Sequence, residues 1–251
     1  MKYFAKIRYV GTDFCGFQVQ PDKRTVQGVL NEATRSLFGT ECNVTGCSRT
    51  DSGVHANEFC ITIKPIDPVA PHIPAEKIPK AIAIYLPSDL SLYEAREVDD
   101  DFHPRYDVRS KEYKYIIYNG EVNNPFYHNR SWEMYRKITD EALERMQKAA
   151  DNFLGTHDFT AFMNTDSDIE DRVRTIYSFT VKRVNDEVEF CVSADGFLYN
   201  MVRIMVGTLV SVAFGNFSPE DITLMLESKS RTKAGMTAPP EGLYLNKVIY
   251  K

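Results

Sequence analysis

The sequence predicts an α+β protein in which the order β-α-β-β-α-β occurs twice. Three observations predict it. Short runs rich in aromatic and β-branched residues alternate with segments of helical period, each half opens with a strand that leads to a capped helix, and 251 residues supply one large or two small cores. With 43% hydrophobic and 26% charged residues, and only 13 Gly and 12 Pro, the chain packs as a globular protein; collagen, coiled coil and disordered tail are excluded.

Taken in order, residues 3 to 10 (YFAKIRYV) read as a strand that stops at Gly11. Val26, Val29, Leu30, Ala33 and Leu37 then recur at helical spacing, with Thr25 as N-cap and Gly39 as stop. Residues 43 to 47 and 58 to 64 read as strands joined through the turn Asp51, Ser52, Gly53. A short helix begins at Pro79, where proline suits a first turn, and residues 90 to 98 close the half as a strand.

The second half repeats the order. Residues 112 to 118 are a strand, and Thr139 caps a helix in which Leu143, Met146, Ala150 and Leu154 share a face. Ile138 and Leu143 form its hydrophobic staple and Gly155 ends it. Strands at 175 to 184 and 188 to 194 follow, then an apolar helix around Arg203, a short helix after Ser218 and a last strand at 243 to 250. Both halves thus spell the ferredoxin-like order. The expected architecture is two halves, residues 1–103 and 104–251, forming an extended, mainly antiparallel sheet with helices on one face and a central active-site cleft.

The formal charge of −5 argues against a globally basic nucleic-acid binder, so any RNA surface has to be local. Cys15, Cys42, Cys47, Cys60 and Cys191 form no CxxC pair and, with no apolar leader after Met1, read as reduced thiols of a cytoplasmic protein. The apolar stretch from Phe197 to Phe214 contains Asn200 and Arg203 and reads as a buried helix, not a membrane span. No phosphate-cradling glycine loop is present, and His72, His103, His128 and His157 have no ligand-like spacing. No metal and no cofactor is expected.

Four features bear on chemistry. Arg49, Asp51 and His55 surround a glycine-containing turn; Asp51 is either a plain turn residue or a carboxylate held ionised by arginine and available as a nucleophile. Arg203 in an apolar helix needs an anionic partner, or else snorkels or pairs with Asp195. In KEYKYIIY, Lys111, Tyr113 and Tyr115 project to one side, as core or as a stacking surface. The run Lys229 to Lys233 is a solvated loop or a phosphate contact.

These residues sit within motifs that resemble, over essentially the whole chain, the bacterial tRNA pseudouridine synthase A family. The similar segments are Gly11, Thr12, Asp13, Phe14, Gly16, Phe17, Gln18 with Thr25, Val26, Gln27; the run Arg49 to Ala56; Phe102, His103 and RYDVRSKEYKY; Gly155, His157, Asp158, Phe159; Gly196 to Leu209; and Ala238 to Leu245. The resemblance implies a tRNA pseudouridine synthase that isomerises uridine at positions 38, 39 and 40 of the anticodon stem-loop, a cytoplasmic homodimer that uses no cofactor. It places the catalytic aspartate at Asp51, a nucleotide-positioning arginine at Arg49, the uracil-stacking tyrosine at Tyr113, the partner of the carboxylate at Arg203 and an apolar pocket residue at Leu243. Whether Asp51 attacks the sugar or removes a ribose proton stays open. Ser52 stands where alanine is usual and Lys111 where arginine is frequent.

Overall fold

A computed structural model describes residues 1–165 and 169–251. The chain divides into two compact units, residues 1–109 with 244–251, and residues 110–243. The sequence boundary near residue 103 leaves the last strand in the second half. In the structure residues 244–251 belong to the first unit, because Tyr244 and Leu245 pair in parallel with His55 and Ala56 and the Tyr250 ring meets Phe4 edge-on.

The first unit begins with β1 (Lys2–Tyr9) and α1 (Val26–Phe38). The end signals of α1 are local and were legible: Thr25 accepts a hydrogen bond from Gly28 N, and Gly39 turns left-handed at φ 68°. β2 (Cys42–Gly46), β3 (His55–Pro65), α2 (Ile78–Ile82, Pro79 in its first turn) and β4 (Leu90–Val98) follow. The strands lie in the order β4-β1-β3-β2, all antiparallel. β10 (Leu243–Tyr250) adds a short parallel pairing to β3, Tyr244 opposite His55 and Leu245 opposite Ala56.

Alternation divides β1 between two apolar layers. Tyr3, Ala5, Ile7 and Tyr9 are buried on one face, where Tyr3 stacks on Phe38 of α1 at 5.6 Å. On the other face Phe4 meets Phe102 and Tyr250 edge-on, and Arg96 lies over the Phe4 ring at 4.7 Å.

The second unit contains β5 (Val108–Tyr118) from Ser110 onward, the two-residue β6 (Trp132–Glu133), α3 (Asp140–Asp151), β7 (Gly155–Asp158), β8 (Val173–Val184), β9 (Glu187–Ala194), α4 (Met201–Ala213) and α5 (Asp221–Ser228). Its strand order is β5-β9-β8-β7, antiparallel throughout, with β6 parallel beside β5. Thr139 caps α3 as expected, accepting from Ala142 N.

The rest of that helix differs from expectation. It ends at Asp151 in a tightened turn, and Gly155, at φ 95°, opens β7 instead of stopping the helix. Leu154 lies outside the helix and is exposed, Leu143 is half-buried, and the face that packs is Ala142, Met146, Ala149 and Ala150. Among the described residues no helix is long and apolar enough to cross a membrane; α4 is almost wholly buried instead.

Candidate active site

In the first unit Asp51 sits on the β2–β3 connection, half-buried, with Arg49 exposed two residues earlier. The connection is pinned by a second loop, residues 11–17. Phe17 N donates to Thr50 O at 3.1 Å, Gly53 N to Phe14 O at 3.3 Å, and the Ser52 hydroxyl to Phe14 O at 3.2 Å. The turn also closes on itself, Val54 N donating to Asp51 O at 3.2 Å, and Thr50 Oγ1 meets Tyr9 Oη at 2.8 Å. Every residue from Thr50 to Val54 is therefore tied by its backbone or side chain, so the carboxylate projects from a rigid turn and not from a mobile loop. Ser52, the departure beside the aspartate, adds a bond to this pinning.

In the second unit, Tyr113 lies on β5, 6% exposed, with its ring edge-on to Phe197 at 5.0 Å. Arg203 lies in the first turn of α4 and donates from Nε to Ala238 O at 2.8 Å and from Nη1 to Asn200 Oδ1 at 2.8 Å. These two bonds fix the guanidinium plane, which a residue seeking only solvent does not require. Asp195, the alternative partner weighed from sequence, spends one carboxylate oxygen on Thr175 N at 3.0 Å.

The same segment that holds Arg203 also reaches β5. Tyr115 Oη donates to Pro239 O at 2.8 Å, and Leu243, 6% exposed, ends the segment. Burial pushes the Tyr115 phenol well up, Glu241 adds to the rise and Arg203 opposes it. Gly207 makes the close approach: a β-carbon there would stand 1.9 Å from Met236 O. So Tyr113, Arg203 and Leu243 hang on one scaffold of β5, α4 and residues 236–243.

The basic run 229–233 is partly engaged within the protein. Lys229 pairs with Asp158 at 2.9 Å, and Arg231 folds onto Gly235 O at 2.9 Å and Thr237 Oγ1 at 3.1 Å; only Lys233 of its three cations is an exposed charge without such a bond among those described. The sequence singled out His55 within its motif but not the pairing it makes: Gly11 N donates to its Nδ1 at 2.9 Å, and its ring stacks on Tyr244 at 4.6 Å. Asn200, three positions before Arg203 and on the same helical face, was a local signal for its bond, whereas Phe197 and Ala238 as supports of Tyr113 and Arg203 had none. Among the described residues, no group of three or more His, Cys, Asp or Glu side chains is placed to hold a metal.

The first unit thus presents a half-buried carboxylate on a pinned turn, and the second by itself holds a tyrosine and an oriented arginine on one scaffold of an α+β protein. The model of a family described as tRNA pseudouridine synthase matches residues 5–107 and 149–251. Tyr113 falls outside those stretches, but full-length relatives cover it. The tRNA pseudouridine synthase A of Thermoanaerobacter sp. (strain X514) is 43% identical over 244 residues, 97% of each chain. That of Caldicellulosiruptor saccharolyticus is 41% identical over 244 residues, again 97% of each. Among solved structures, a chain in the crystal structure of a Cbf5-Nop10-Gar1 complex is similar at TM-score 0.36 and 12% identity, over 97% of this chain and 58% of that one, too distant to carry an argument. The chain belongs to the tRNA pseudouridine synthase family.

Proposed function

We propose that the protein isomerises uridine to pseudouridine in tRNA, at the three anticodon stem-loop positions named above, with Asp51 as the catalytic carboxylate. The observation that carries this reading is family membership across both units, which brings the Asp51 turn and the Arg203 helix into the matched stretches. The reaction breaks the N1–C1′ bond, turns the uracil while it is held, and joins C5 to C1′. Atoms are conserved and no electron is transferred, so no cofactor enters the balance.

In this reading Asp51, ionised, either bonds C1′ or takes a ribose proton to start the cleavage. Arg203 is the guanidinium that favours the charged form of that carboxylate, and its two bonds to Ala238 and Asn200 hold it in orientation. Tyr113 holds the freed base by stacking, and at the end its hydroxyl oxygen takes the C5 proton as it releases its own to solvent, while N1 takes up a proton, so that none is gained or lost overall. Arg49, exposed beside Asp51, positions the nucleotide, and Leu243 lines the base pocket. A uridine near the loop of the anticodon arm costs less to extrude than one deep in a helix. We also read the two halves as repeats of the ferredoxin-like order, and the working protein as a cytoplasmic homodimer.

The test is the conversion of an unmodified tRNA transcript with nucleotide-resolution mapping. The native protein forms pseudouridine at the three named positions and Asp51→Ala forms none. Undiminished product from Asp51→Ala overturns the role of Asp51, and product at other uridines overturns the target.

A further inference from the structure

We infer that His55 is a positioning residue for Asp51, acting as a latch between the residue 11–17 loop and the carboxylate turn; this deepens the reading of Asp51 given above and rests on it. His55 is 1% exposed, at the first position of β3, four residues after Asp51. Its Nδ1 accepts the Gly11 amide at 2.9 Å. An imidazole nitrogen that accepts carries no proton, so the ring is neutral with its hydrogen on Nε2.

The accepted bond matters because of what Gly11 supports. A β-carbon on Gly11 would lie 2.0 Å from Val54 O, so the first loop is pressed onto the turn that carries the aspartate. Gly11 O in turn accepts Phe14 N at 3.0 Å, and Phe14 O is the acceptor for both Gly53 N and the Ser52 hydroxyl. The path from the imidazole to the residues next to Asp51 is thus His55, Gly11, Phe14, then 52–53. The ring is itself held from the far side by its stack on Tyr244, which stands opposite His55 in the β3–β10 pairing. A buried amide that loses its acceptor costs desolvation and lets the turn move. A displacement of the carboxylate by a fraction of an ångström weakens the chemical step much more than it weakens binding of the RNA.

Two replacements separate the parts of the imidazole. His55→Phe keeps a ring for Tyr244 and removes the acceptor; His55→Asn keeps an acceptor at the place of Nδ1 and removes the ring. Both are compared with the native protein and Asp51→Ala for kcat and KM on tRNA, and the exchange of the Gly11 amide with solvent is followed in each. The expected result for His55→Phe is a kcat at least about tenfold lower with KM within about threefold, and a faster-exchanging Gly11 amide, while His55→Asn recovers most of both. Native kcat in His55→Phe, or a Gly11 amide as protected there as in the native protein, overturns the latch. So does a His55→Asn no better than His55→Phe at equal folded fraction. Full activity of Asp51→Ala instead overturns the reading of the site, and Gly11 exchange then still reports whether the imidazole holds the loop.

Discussion

At the scale of single residues, the arginine in α4 is the clearest case of chemistry written into an apolar context. Lysine keeps the charge, but one ammonium does not reproduce the planar grip on Ala238 O and Asn200 Oδ1. Arg203→Lys is expected to fold as the native protein does and to lose about tenfold or more in kcat/KM, read in the conversion assay; native turnover removes the orienting role. Tyr113→Phe preserves the ring contact with Phe197 and removes the hydroxyl. It is expected to bind tRNA normally and convert it at least about tenfold more slowly, and equal rates would confine Tyr113 to stacking. Asp158 gives a pH signature unrelated to catalysis. Burial pushes its carboxyl up, but hydrogen bonds from Thr160 and the Lys229 ammonium outweigh this and hold it at about 2, against an ordinary value of 3.8. A depressed value means stabilisation present above the unfolded pKa and lost as pH falls through the folded one. Asp158→Asn is expected to lower Tm at neutral pH by about 2–4 °C, with the gap to the native protein narrowing below pH 4; a gap as wide at about pH 3 as at about pH 5 in thermal melts contradicts this.

At the scale of elements, what was legible is what neighbours in sequence decide. Thr25 and Gly39 bound α1, and Thr139 opens α3, because a cap is a contact over three or four residues. Thr25→Ala is expected to cost about 1 kcal/mol, measured by denaturant unfolding, and no loss would contradict the cap. β6 and β7 span two and four residues, too few for alternation to register, and Gly155 reads as a helix stop because nothing local announces a strand after it. The candidate site shows the same divide. Arg203 stands out as a charge in an apolar helix, Asp51 and Tyr113 are ordinary types for a turn and a strand and are singled out by the resemblance, and Ala238 acts through a backbone carbonyl that any residue could offer. Gly207 is the element-scale consequence: Gly207→Ala drives a methyl into Met236 O, displaces the 236–238 strap from α4 and with it the acceptor of Arg203. Its activity is expected to fall further than its Tm; activity intact with the fold intact counts against that coupling.

At the scale of the molecule, the charge of −5 and the engagement of Lys229 and Arg231 within the protein mean that a polyanion is not held by a globally basic surface or by the 229–233 run as a whole. Affinity for tRNA is still expected to fall steeply as salt rises from about 50 to about 200 mM, since the contacts that do form release counterions. A binding curve indifferent to salt would contradict this, and sedimentation at the mass of a single 28.7 kDa chain would remove the homodimer. The short parallel pairing of Tyr244 with His55 and Leu245 with Ala56 has a consequence in time. On the ribosome the first unit emerges first, yet its last strand is translated only after the whole of the second unit, and nearly two hundred residues separate the partners in the chain. Non-local closure of this kind slows folding. The His55 imidazole gains its stacking partner only then, so the brace behind the latch is the last contact of the first unit to form.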